Sequence, residues 1–133
     1  MAVSHEIQYF LGANSPSGFY SLYSELLPPE TANVIYILKG GPGCGKSTLM
    51  RRVAPRAAQT VEYILCSGDP DSLDAVVLPR LGAALVDGTA PHVVEPKYPG
   101  AVEQYVNLGD CYDRSGLRAI RSEILTCMDG YKA

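Results

Sequence analysis

Residues 36–50, YILKGGPGCGKSTLM, hold the side chains best equipped for chemistry. Gly40, Gly45, Lys46 and Ser47 satisfy G-x-x-x-x-G-K-[ST], a phosphate-binding pattern. Glycine loses more conformational freedom on folding than any other residue, so Gly40, Gly41, Gly43 and Gly45 in close succession cost stability unless a bare backbone is needed. Such a need exists. The N–H groups from Gly43 to Thr48 can curl around a β-phosphate only where side chains do not intrude, and the dipole of a following helix adds positive charge. Lys46 would bring a full charge to the β- and γ-phosphates, the Ser47 hydroxyl would coordinate Mg²⁺, and Thr48 would lie near the α-phosphate. Pro42 stiffens the loop. The expected ATP-binding residues are therefore Gly41, Pro42, Gly43, Cys44, Gly45, Lys46, Ser47 and Thr48, with Lys46 also catalytic.

A loop of this kind needs an acid at the end of a neighbouring strand to hold the Mg²⁺ water shell. Asp87, which closes AALVD, is the expected catalytic and metal-associated acid beside Ser47. A turn-forming Asp87-Gly88 pair is the competing explanation. Gly88, Thr89, Ala90, Pro91 and His92 follow, without a glutamate to orient a water, so no general base is assigned. Thr89 and His92 are candidates to face the γ-phosphate, with a solvated loop histidine the favoured reading of His92. Asp69, Asp71 and Asp74 fall after the second strand, where open α/β sheets bind ligands, but helix capping accounts for Asp69 and Asp71. Arg80, Arg114, Arg118 and Arg121 read as solvated surface. Cys44, at a helix N-terminus, reads as an alkylation handle. The segment NLGD (107–110) has leucine where the guanine-reading N-K-x-D carries lysine, which favours ATP.

These groups need a frame. NVIYIL (33–38) and VEYILCS (61–67) read as strands covered on both faces, and GAALVD (82–87) as a third. KSTLMRRVA (46–54) reads as a helix cut or kinked at Pro55. DPDSLDAVVLP (69–79), with Asp69 as N-cap and Pro70 at N1, reads as another. FYSLYSELL (19–27) reads as a short helix stopped by Pro28. Residues 88–99 read as loop, with a short extended piece at HVVEP. From Asp110 the periodicity predicts an amphipathic helix with Leu117, Ile120, Ile124, Leu125 and Met128 on one face. Strands alternating with helices predict an α/β fold, a parallel β-sheet flanked by helices, incomplete with three clear strands.

The 133 residues suffice for one domain, 1–133. The net charge of −3 argues against nucleic-acid binding by bulk charge. Cys44, Cys66, Cys111 and Cys127 show no metal-ligand or C-x-x-C spacing, so reduced thiols and a cytoplasmic setting are expected. The N-terminus lacks the pattern of a signal peptide, and no apolar run reaches bilayer-spanning length, so no membrane partner is expected.

Across residues 7–125, the stretches LKGGPGCGKSTLM, DPDSLD and DGTAPHVVEPKYPG resemble a family of bacterial ATPase-like proteins with two P-loop halves in tandem. The resemblance is to the first half. It implies a P-loop NTPase domain that binds ATP and hydrolyses it with Mg²⁺ in the full-length context, this chain being the N-terminal part of a longer protein. A second P-loop half or a second copy would then be its partner. Two other readings stand beside it. One is a small-molecule or nucleotide kinase: the GGPGCGK loop is similar to that of adenylate- and uridylate-type kinases, although those usually have glycine where Ser47 stands and no arginine-bearing lid is evident. A nucleotide sensor that binds a partner without hydrolysis would need the same loop.

Overall fold

The computed structural model describes residues 5–10, 12–15, 18–21, 27–41, 43–57, 60–89 and 95–132. In chain order the strands and α-helices are β1 (His5–Phe10), β2 (Gly12–Ser15), β3 (Gly18–Ser21), β4 (Val34–Lys39), α1 (Lys46–Ala57), β5 (Thr60–Leu65), β6 (Leu73–Leu78), β7 (Ala83–Asp87), β8 (Glu103–Asn107), α2 (Arg114–Ala119) and α3 (Arg121–Lys132). Six strands form one sheet in the order β1-β5-β6-β7-β4-β8, and β2 and β3 pair separately as an antiparallel ribbon. Within the large sheet, β6 runs antiparallel to both β5 and β7, while the other neighbours are parallel. The architecture is α/β with a mixed sheet.

Alternation along each strand divides the core into two layers. Leu38, Val61, Tyr63, Val76, Leu78 and Leu85 pack with Met50 and Ala54 of α1 on one face. Ile35, Ile37, Ile64, Ala75, Val77, Ala84 and Val86 form the other, against Leu27, Ala32 and Val102. Ile37, Met50 and Ile64 are wholly buried, and burying a side chain of this size contributes about 1.5–3 kcal/mol. Because both faces are covered, the central strands are mostly apolar and do not alternate with polar residues, as the sequence of β4 and β5 suggested.

Several expectations are corrected here. The sheet is mixed, not parallel, and the described residues hold eight strands where three were legible. Residues 69–79 form a turn and then β6, not a helix. The Asp69 carboxylate does cap, but it caps a turn, accepting from the Asp71 N–H (3.1 Å) and the Ser72 hydroxyl (2.9 Å). All six residues of β6 are buried, and a short apolar run of this kind carries no period that separates helix from strand. Gly18–Ser21 is strand where a helix over 19–27 was read; residues 22–26 lie outside the described residues, as do residues 92–94 of HVVEP. The first helix does not stop at Pro55 but continues to Ala57. Pro55 sits near its C-terminal end, where loss of one N–H disturbs few remaining turns.

The helix expected after Asp110 is present as α2 and α3. Its apolar residues Leu117, Ile120, Leu125 and Met128 are exposed and Ile124 half-buried, so that face packs on nothing substantial among the described residues.

Candidate functional site

The site lies where β4, β7 and β8 end side by side. Register places Leu38 beside Asp87 on one flank of β4, and Lys39 beside Asn107 on the other. Chain leaving β4 makes the glycine-rich loop and enters α1 at Lys46. Gly43 (φ 73°) and Gly45 (φ 101°) adopt backbone angles that L side chains rarely tolerate. A Cβ on Gly40 would fall 2.4 Å from the Cys44 sulfur. The loop is thus built from glycine for shape at Gly43 and Gly45 and for space at Gly40.

Cys44 donates its N–H to the Gly41 carbonyl (3.3 Å), and Leu49 begins the helical ladder by donating to Gly45 (2.9 Å). Among the described residues, none accepts a bond from the main-chain N–H groups of Gly43, Gly45, Lys46, Ser47 or Thr48. Among the described residues, then, these donors have no acceptor, and they lie at the positive end of a 12-residue helix.

Lys46 folds back over this loop. Its ammonium donates to the Gly40 carbonyl (2.6 Å) and the Thr89 hydroxyl (2.9 Å), and lies 3.6 Å from a carboxylate oxygen of Asp87. Both side chains of the ion pair are largely shielded, 10% and 16% exposed, so solvent screens the pair less than it would a surface pair. The same Asp87 oxygen accepts from the Thr89 N–H (3.0 Å) and hydroxyl (2.5 Å). This is the turn chemistry expected of an Asp-Gly pair, and it also fixes the carboxylate beside the loop lysine. Lys39 braces the turn by donating to the Gly88 carbonyl (2.6 Å).

Ser47 also serves the fold. Its hydroxyl oxygen accepts the Leu73 N–H (3.0 Å), which ties α1 to the start of β6. A hydroxyl oxygen has two acceptor sites, so one remains for a cation. Among the described residues no group of three or more His, Cys, Asp or Glu side chains is arranged to hold a metal. A Mg²⁺ ion that keeps most of its water and leans on phosphate oxygens would need only one or two protein oxygens.

Of the anticipated residues, Gly41, Gly43, Cys44, Gly45, Lys46, Ser47 and Thr48 form the loop and helix start, and Asp87 at the end of β7 and Thr89 in the turn after it join them. Pro42 and His92 lie outside the described residues. Asp69 and Asp71 serve the turn before β6. Asp74 is 2% exposed and falls where the β5–β6 register shifts, beside Leu73. Burial pushes the nearby Cys66 thiol up from its ordinary value; hydrogen bonds from the N–H groups of Gly68 and Asp69 oppose that, and the Asp74 carboxylate adds to it. Arg114 pairs with Asp110 at the surface (3.2 Å). All four cysteines are free thiols.

The residue that sequence reasoning missed is Tyr112. Its hydroxyl accepts the Gly41 N–H at 2.6 Å, a contact across the fold that no local pattern announces. No helix among the described residues is long and apolar enough to cross a membrane. The chain matches no protein-family model, and no curated protein or solved structure is significantly similar to it.

Proposed function

We propose that the chain is a P-loop NTPase domain that binds ATP with Mg²⁺ and supports its hydrolysis, as the first of two tandem halves. One observation carries this reading. Main-chain N–H groups at the start of α1 that have no acceptor among the described residues stand next to a lysine whose ammonium is held by the acid ending the adjacent parallel strand. An anion is the natural complement of such a cup.

Gly43 to Thr48 would hold the β-phosphate through their amides, and Lys46 would exchange the Gly40 carbonyl for phosphate oxygens. Ser47 and Asp87 would hold Mg²⁺, which when bound neutralises phosphate charge during transfer. Thr89 fixes the carboxylate of Asp87 through two bonds and presents its hydroxyl to Lys46. With its oxygen engaged by Lys46 and Thr89, Asp87 is suited to be a fixed acceptor more than a proton-accepting base. The catalysis this geometry supports is positioning and charge stabilisation.

Single-turnover reactions with γ-labelled Mg-ATP test the reading. Phosphate release supports it. Transfer of the label to an added alcohol or nucleoside monophosphate would make the protein a kinase. Tight binding with no turnover would make it a sensor, and absence of binding would remove the reading altogether.

A further inference from the structure

The two flanks of the glycine-rich loop differ. Lys46, Asp87 and Thr89 meet on the β7 side of β4, so the terminal phosphates of a bound nucleotide belong there. The opposite end of an extended nucleotide then emerges on the β8 side. There the turn after β8, residues 108–112, lies against the outer limb of the loop. A Cβ on Gly40 would come 3.5 Å from that of Leu108, and a Cβ on Gly41 would come 3.2 Å from the Tyr112 hydroxyl.

This turn is braced from within. Asn107 accepts the Gly109 N–H (2.9 Å) and donates to Asp110 (3.2 Å), and the Tyr112 N–H donates to the Gly109 carbonyl (3.1 Å). One edge of the Tyr112 ring lies near Gly109, where a Cβ would sit 3.7 Å from it. The hydroxyl is pinned by Gly41, yet the residue remains 36% exposed. An aromatic ring held at both ends, partly bare, beside a loop built for phosphate is a base-stacking platform in the making. Every nucleobase has a π-face, so stacking requires no base-specific hydrogen bonds.

We propose that the ring of Tyr112 is the stacking surface for the base of the bound nucleotide, while its hydroxyl fixes Gly41 at the loop. The proposal rests on the nucleotide reading above. It makes Tyr112 the residue that distinguishes a nucleoside triphosphate from a bare polyphosphate.

Calorimetric titrations with Mg-ATP and with Mg-tripolyphosphate test it, on wild type, Tyr112→Phe and Tyr112→Ala. Wild type should bind ATP more tightly than tripolyphosphate. Tyr112→Phe keeps the ring and should retain that preference. Tyr112→Ala should lose roughly tenfold or more in ATP affinity with a far smaller loss for tripolyphosphate. Tyr112→Leu, which fills the site without a π-face, takes the place of the alanine variant if that one melts below the assay temperature. Equal losses for both ligands would make Tyr112 a loop brace only and overturn the proposal. A wild type that binds tripolyphosphate as tightly as ATP would overturn it too, while leaving the phosphate loop intact. Binding of neither ligand would sink the nucleotide reading and this inference with it.

Discussion

Replacing Lys46 with alanine removes one ammonium from a site where it has little water around it. The side chain is 10% exposed and its nearest anion, Asp87, is 3.6 Å away. A phosphate oxygen in place of the Gly40 carbonyl would stand at a comparable distance. Two unit charges about 4 Å apart interact by about 4 kcal/mol at the effective dielectric of a protein surface. The free protein already recovers part of that through Asp87, Thr89 and Gly40. A charge-assisted hydrogen bond nets about 1.5–3 kcal/mol, so a loss of about 2–3 kcal/mol in binding is expected. That corresponds to a Mg-ATP dissociation constant raised by about 30- to 150-fold. Isothermal titration gives the constant, and a thermal melt of the same sample shows that the variant remains folded. Asp87 keeps both bonds from Thr89 after the substitution, so no collapse is expected. A folded Lys46→Ala protein that binds Mg-ATP within about threefold of wild type would refute the role given to Lys46.

Two glycines should fail for different reasons. A Cβ on Gly88 would lie 2.3 Å from the Cγ2 of Ile37, which is wholly buried, so Gly88→Ala should destabilise by about 1–3 kcal/mol through overpacking. Gly45 has open space around it but a φ of 101°, so Gly45→Ala should cost a similar amount, about 1–3 kcal/mol, through backbone strain alone. Denaturant unfolding separates the two: combining each with Ile37→Ala should relieve the Gly88 variant and leave the Gly45 cost additive. Stability should also fall in alkali. Burial pushes Tyr9, Tyr63 and the Cys66 thiol up from their ordinary values. The folded chain keeps each neutral where the unfolded chain already ionises it. This contribution is complete below about pH 8, and is lost as pH rises through the folded values. Melting temperatures that stay level from about pH 8 to 11 would contradict that burial.

The loop was legible because its constraints are local. Positive φ at Gly43 and Gly45 demands glycine whatever the surrounding fold, and a lysine followed by a hydroxyl residue opens the helix. Strands β4, β5 and β7 were legible because each is an apolar run bounded by turn residues. Strand β8 was not, since it sits at the sheet edge with Gln104, Tyr105 and Asn107 exposed. An edge strand need not carry an apolar pattern. Strand β6 was misread because Asp69 and Pro70 are as good at opening a turn as at opening a helix, and only pairing with β5 and β7 decides between them. The direction of β6 is a long-range property with no local signature.

The same long-range pairing shapes the site itself. Among the described residues, three tethers reach the loop and the start of α1 from separate parts of the chain: Leu73 to Ser47, Asp87 and Thr89 to Lys46, and Tyr112 to Gly41. They come respectively from β6, from β7 and the turn after it, and from the segment after β8. The motif therefore supplies the donors, whereas the mixed sheet sets where they point. A glycine loop this free would sample many shapes if it were held only by its own backbone. Anchoring at Gly41, Lys46 and Ser47 removes much of that freedom before any ligand arrives, which lowers the ordering cost of binding. It follows that cutting the Leu73 tether with Ser47→Ala should loosen the loop even towards tripolyphosphate without metal. A Ser47 whose only service is to Mg²⁺ would leave that metal-free affinity unchanged.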